Sequence, residues 1–165
     1  MNLRGRRLVL RPFTEADVGA AAAIAAEPAV ARWWGELPEQ ELRAKAAGED
    51  GAVFAIELEG RMIGLIQFFE ESDPMYRHAN IDLFLTTAEQ GRGLGREAIG
   101  LVVGHLFGER GHHRITIDPA AANQRAIRCY GAVGFRPVGV MRQYERGADG
   151  SFHDGLLMEL LRDDQ

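Results

Sequence analysis

Apolar and polar positions along the chain switch between periods of about two and about 3.6 residues, and these switches mark the elements. Leu8, Val9 and Leu10 lie between Arg7 and Arg11 and predict a first strand ending at Pro12. Thr14-Glu15-Ala16-Asp17 resembles a capping box, with Phe13 and Val18 placed to staple it. An alanine-rich helix is predicted from there to about Glu27, where Pro28 stops it. Trp33-Trp34-Gly35 reads as a linker before a short helix over Pro38–Ala47, with Pro38 at its first position and Gly48 after its end. Ala52–Leu58 and Met62–Phe69 predict a hairpin that turns at Glu59-Gly60-Arg61.

Beyond an acidic loop (Glu70, Glu71, Asp73), the run from Ile81 to Leu85 is branched or aromatic apolar apart from Asp82, and it ends in two threonines. It predicts a buried strand. Gly91, Gly93 and Gly95 then alternate with other residues just ahead of a helical stripe of Leu94, Ala98, Leu101, Val102 and Leu106. That helix should run to about Arg110, with Gly111 as its cap. His113–Ile117 predicts a strand broken by Asp118-Pro119, followed by a helix over Asn123–Val133. Two closing strands, Pro137–Tyr144 and Phe152–Leu161, flank the turn Gly147-Ala148-Asp149-Gly150. The order β-α-α-β-β-β-α-β-α-β-β implies one α/β domain over residues 1–165, with seven strands in a mixed sheet and about four helices.

Composition narrows the function. The 24 acidic and 19 basic residues give a net charge of −5, which disfavours nucleic acid and anionic membranes as partners and suits a cationic one. Cys129 is the only cysteine, so no internal disulfide can form, and a reducing compartment is expected. No cleavable leader and no apolar run of membrane length is visible, so a soluble, cytoplasmic protein is expected. Oligomeric state stays open between monomer and homodimer.

Strand, glycine turn and helix start together make an anion cradle. Glycines let the backbone approach a phosphate, the first-turn N–H groups lack intrahelical partners, and the helix dipole favours negative charge there. Arg92 and Arg96 add charge beside it. The spacing is neither that of a P-loop nor that of the dinucleotide fingerprint, because Arg96 stands where the latter needs glycine. Asp82 is the sole charge of the central strand, and burial would raise its pKa towards that of a general base. Pairing with an arginine is the alternative. Asn123, Ala126 and Tyr130 share one face of the last long helix. Trp33 and Trp34 form either a substrate wall or core. Glu70, Asp118 and Asp154 are candidate contacts for an amine, against the plainer readings of solvated loop, turn and hairpin ion pair. The histidines show no metal-ligand spacing, so no metal site is expected.

Gln90-Gly91-Arg92-Gly93-Leu94-Gly95 resembles the Gln/Arg-x-x-Gly-x-Gly/Ala motif of the GNAT superfamily of N-acyltransferases. The run from Asn123 through Ala126 and Tyr130 to Gly134-Phe135 resembles that family's second signature. Within the superfamily the likeness is strongest to aminoglycoside 6′-N-acetyltransferases, on Trp33-Trp34-Gly35, Ile81-Asp82, Asp118-Pro119 and Arg125-Ala126-Ile127-Arg128-Cys129-Tyr130. The resemblance implies a mostly antiparallel sheet with splayed central strands and acetyl-CoA as the acyl donor. It places the coenzyme's pyrophosphate on the amides of residues 91 to 96 and its pantetheine arm along Phe84, Leu85, Asn123 and Ala126. Asp82 is then the base, directly or through water, Tyr130 the donor to the leaving thiolate, and a backbone N–H near Leu85 the group that polarises the thioester. The implied substrate is a small polycationic amine, most of all an aminoglycoside. A protein N-terminus or another small amine is the alternative acceptor, and a non-catalytic acyl-CoA-binding module is the alternative class.

Overall fold

The computed structural model describes residues 1–165 as a mixed sheet of eight strands in the order β1-β2-β3-β4-β5-β6-β8-β7. The strands are β1 (Leu3–Arg4), β2 (Leu8–Pro12), β3 (Ala52–Leu58), β4 (Arg61–Glu71), β5 (His78–Leu85), β6 (Arg114–Ile117), β7 (Arg136–Arg146) and β8 (Phe152–Leu161). Five α-helices flank them: α1 (Val18–Ala25), α2 (Pro28–Trp34), α3 (Glu39–Ala46), α4 (Leu94–Gly108) and α5 (Gln124–Val133). Sequence reasoning expects seven strands and about four helices. The extra strand is β1, two residues too short to show a period, paired with β2 through Leu3–Leu10 and Arg4–Val9. The extra helix is α2. Pro28 does end α1, but it also takes the first position of α2, so Trp33 and Trp34 are helical and not in a linker.

Two apolar layers hold the sheet. Leu94, Ala98, Ile99, Val102 and Leu106 of α4 bury one face against Leu8, Leu10, Ile56, Ile63, Ile66 and Ile81. Val18, Ala21 and Ile24 of α1, with Val30 and Leu42, cover the other face at Leu65 and Phe84. Alternate residues of β4 and β5 therefore serve different layers, and both strands read as continuous apolar runs because both of their faces are covered.

Every neighbouring pair is antiparallel except β5 with β6. That parallel pair is joined only at Ala79–Ile115 and Asn80–Thr116. Beyond those two positions the strands diverge, although β4 stays paired with β5 to the Gly64–Leu85 position. Residues 81 to 85 thus present an unpaired edge to a gap in the middle of the sheet. Backbone groups left without a ladder need other partners, which makes the gap the natural place for a ligand.

Candidate active site

A cavity of about 1210 Å³ occupies this gap. One drug-sized ligand needs roughly 300–1,000 Å³, so there is room for two reactants. Its walls come from β5, the glycine turn and first turn of α4, α5, the loop after β6, most of α2 and the second half of β7.

At one end, β5 runs into the glycine turn. Gly91 and Gly93 have φ of 78° and 76°, left-handed values that a side chain with a Cβ rarely adopts. Gly93 is the N-cap of α4, and no side chain caps that helix, so its first-turn N–H groups stay available. Arg96, Arg125 and Arg128 line the same end. Arg125 donates to Gln90 Oε1 at 2.9 Å, while Gln90 Nε2 donates to the Leu85 carbonyl at 3.0 Å. The sequence expectation for Arg92 needs correction: its guanidinium turns to the buried Glu89, and its carbonyl accepts from Arg7 at 2.8 Å. Arg92 therefore braces the turn from outside. Free amides, left-handed glycines and cationic side chains fit the pyrophosphate of a coenzyme.

In the middle of the cavity, Leu83 and Leu85 turn their backbone groups into the gap. Trp34 Nε1 donates to the Leu83 carbonyl at 3.1 Å, and the Leu83 N–H donates to Asp82 Oδ1 at 3.0 Å. The Leu85 N–H faces the same way, because residues two apart on a strand share a direction. Phe84 between them also borders the cavity, while its ring packs in the core 5.0 Å from Trp34 in an edge-on contact. Across the gap, Asn123 caps α5 by accepting from the Ala126 N–H at 3.2 Å. Its amide N–H₂ remains for a ligand. Tyr130, two turns along, lines the cavity beside Cys129. Burial, with help from the negative field of Asp82, raises the Tyr130 pKa, so the phenol keeps its proton at every physiological pH.

The far end is acidic. Asp82, Asp118 and Glu145 line it together, with Tyr144 donating to Asp118 Oδ2 and Trp33 beneath the guanidinium of Arg32, 4.6 Å from the ring centre. Burial first, and the negative charge of Asp118 second, raise the Asp82 pKa to about 7. Glu145 is also raised, by burial and then by Asp118. The hydrogen bond to Asp118 is the main reason that the Tyr144 pKa rises to about 12.

Two other expected substrate contacts are elsewhere. Glu70 is bound by Arg110 at 2.7 Å and by His112 Nε2 at 2.6 Å, so it ties β4 to the chain after α4 and does not line the cavity. Asp154 accepts from the backbone N–H of Gln143 at 2.9 Å and borders a neighbouring depression. Glu71 is the exposed last residue of β4 and Asp73 lies in the exposed turn after it, so these acidic residues do not converge on the site. Glu145 and Tyr144 escape sequence reasoning, since a charged or phenolic residue in a closing strand looks solvated until the strand bends inwards. No group of His, Cys, Asp and Glu is arranged to hold a metal ion.

An anion cradle, an open strand edge and an acidic pocket in one continuous cleft define a class: enzymes that bring a nucleotide-borne group to an amine. The Acetyltransferase (GNAT) domain family matches residues 7–136. The chain belongs to this family, and it is an acetyl-CoA-dependent N-acetyltransferase. It is 31% identical over 155 residues to the aminoglycoside N(6′)-acetyltransferase type 1 of Klebsiella pneumoniae, covering 81% of this chain and 76% of that one. Its fold matches that of the aminoglycoside acetyltransferase AAC(6′)-Ib in complex with coenzyme A at a TM-score of 0.78 and 24% identity, over 95% of this chain and 96% of that one. It also matches the ribosomal L7/L12 alpha-N-protein acetyltransferase in complex with coenzyme A at a TM-score of 0.85 and 20% identity, over the whole of both chains. The splayed sheet expected from the sequence is present, and no helix is long and apolar enough to cross a membrane.

Proposed function

We propose that the chain acetylates a primary amine of a small polycationic molecule, an aminoglycoside. The observation that carries this is the convergence of Asp82, Asp118 and Glu145 on one end of the cavity, with no arginine or lysine bonded to any of them. Unpaired carboxylates held together are costly by themselves and are relieved by a ligand that brings ammonium groups. The 31% identity to an aminoglycoside N(6′)-acetyltransferase agrees with this.

Bound acetyl-CoA supplies an acyl carbonyl activated by a thiol leaving group. In this reading the glycine turn and α4 amides hold its phosphates, Asn123 holds the pantetheine arm, and the Leu85 N–H donates to the acyl oxygen. Asp82 takes a proton from the incoming ammonium, because only the neutral amine has a lone pair to offer. A pKa of about 7 leaves Asp82 strong enough to do so and ionised in about half of the molecules at neutrality. As the C–S bond breaks, Tyr130 gives its phenolic proton to the departing sulfur and regains one from the acylated nitrogen, which sheds its extra proton to become the amide.

The test is thiol release from acetyl-CoA with kanamycin, spermidine and an alanyl peptide as acceptors. Preference for kanamycin with a KM that rises with salt is the expected result, since screening weakens attraction to carboxylates. A salt-independent KM would sink the acidic-pocket reading. A second reading, an N-terminal peptide as acceptor, is favoured by one feature. The cavity adjoins a depression of about 630 Å³ that shares Arg32, Trp33 and Glu145 with it and would suit an extended chain. Preference for the peptide would establish that reading.

Tyr130→Phe tests the acid. It removes only the hydroxyl, so melting should change little while turnover falls roughly tenfold, the low end for acid catalysis. The loss should shrink with an acyl donor whose thiol is more acidic than the usual pKa of about 8.5. An equal loss with both donors would mean that Tyr130 positions the coenzyme and donates no proton.

A further inference from the structure

The strand that carries Tyr144 and Glu145 is not regular. β7 and β8 pair Met141 with Gly155 and next pair Glu145 with His153, so Arg142, Gln143 and Tyr144 stand opposite the single residue Asp154. A bulge this wide bends its strand and re-aims the side chains on it. Gln143 has φ of 48°, a left-handed value unusual for any residue but glycine. Asp154 Oδ1 holds it there by accepting from the Gln143 N–H at 2.9 Å. The Tyr144 ring approaches Gly155 closely. A Cβ at Gly155 would stand 2.8 Å from Tyr144 Cδ2 and 3.3 Å from Met141 Cε, so the close approach needs glycine. The ring's hydroxyl then reaches Asp118.

The same short segment of β8 holds the opposite wall. The Asp154 carbonyl accepts from the Ala121 N–H at 2.8 Å, and the Leu156 N–H donates to the Pro119 carbonyl at 2.8 Å. Ala120 and Gly155 form an isolated bridge between these bonds. Residues 154 to 156 therefore clamp two segments. One is the loop that starts at Asp118, and the other is the bulge that carries Tyr144 and Glu145.

We propose that Asp154 and Gly155 are positioning residues for the amine. They fix Asp118 on one side and Tyr144 and Glu145 on the other, and so set the acidic end of the cavity to the spacing of the substrate's ammonium groups. This rests on the reading of that end as the amine site. Asp154 never touches the substrate; it acts through the Gln143 amide. Its carboxylate thus has a role different from the direct contact expected from sequence.

Asp154→Ala, Asp154→Asn and Gly155→Ala, each in the full chain, separate positioning from mere hairpin stability. Hydrogen exchange of the 141–146 segment reads the clamp without any substrate. It should speed up in Asp154→Ala and stay slow in Asp154→Asn, which keeps an acceptor oxygen. With the best acceptor among kanamycin, spermidine and the alanyl peptide, Asp154→Ala should raise the amine KM about tenfold, the effect of one lost hydrogen bond to a charged group. Its kcat and acetyl-CoA KM should stay near those of the parent. Asp154→Asn should recover most of the loss, and Gly155→Ala should raise the amine KM by displacing the Tyr144 ring. Unchanged exchange in Asp154→Ala would overturn the clamp. Faster exchange with an unchanged amine KM, or equal damage to both substrates' KM values, would overturn the positioning role. Failure of all three acceptors with the parent enzyme would instead count against the proposed function, while the exchange result would still decide whether Asp154 pins the bulge.

Discussion

Asp82→Asn should lower kcat/KM for the amine by about 10²–10⁴, the range for loss of a general base, and leave acetyl-CoA affinity near normal. The isostere keeps the carbonyl oxygen that accepts from the Leu83 N–H, so β5 should hold its course. What disappears is the carboxylate of the acidic end that the proposed mechanism uses to accept the ammonium proton. The pH profile separates this from a loss of packing. The parent kcat/KM should rise with pH through about 7 as Asp82 ionises, and the variant should lack that limb.

Stability supplies an independent sign. Burial and Asp118 raise the folded-state pKa of Asp82 to about 7, above its ordinary value of 3.8. The folded state therefore binds a proton that the unfolded chain has lost between those values. The stabilising contribution is complete below 3.8 and fades as pH rises through about 7. At pH 8 the parent carries a half-buried carboxylate that the variant lacks, so Asp82→Asn should melt higher than the parent there while being far less active. A variant that melts lower and keeps its rate would make Asp82 a structural residue.

Much of the fold is legible in the sequence because its signals are local. The capping box at Thr14, the glycines that end helices and the apolar stripe from Leu94 to Leu106 each depend on neighbours within a turn or two. Where expectation and structure part, a longer-range interaction is responsible. β1 exists only because β2 offers it an edge. Pro28 both ends one helix and begins another, and only the packing of Val30 under the sheet decides that the chain resumes helical form. Glu70 looks like an amine contact until Arg110 and His112, both beyond α4, claim it. Arg92 looks like a phosphate contact until Glu89 and Arg7 fix it outside the turn. The glycine turn and Asp82 are visible because chain chemistry alone marks them. Glu145 and Tyr144 are not, because a bulge opposite Asp154 sets their direction.

Gly93→Val should weaken acetyl-CoA binding about a hundredfold, about what losing one or two charge-assisted hydrogen bonds to phosphate removes. Bulk is not the reason. A Cβ at Gly93 would meet only Arg7, at 3.5 Å from its Nη2, an ordinary contact. The reason is the backbone: φ is 76° at the residue that caps α4, and a β-branched side chain there costs on the order of 1–3 kcal/mol. The chain can escape that cost by rotating the turn, and rotation swings the first amides of α4 away from the direction in which a phosphate would lie. Gly93→Asn makes the comparison decisive. Asparagine has a Cβ yet tolerates left-handed φ, so it should keep most of the affinity that valine loses. Calorimetric titration with acetyl-CoA measures the affinities. The rise in melting temperature at saturating coenzyme gives a second readout, since a ligand that binds only the folded chain stabilises it by mass action. If asparagine and valine weaken binding equally, crowding and not backbone direction controls the cradle. If neither weakens it, the phosphates do not bind at the glycine turn.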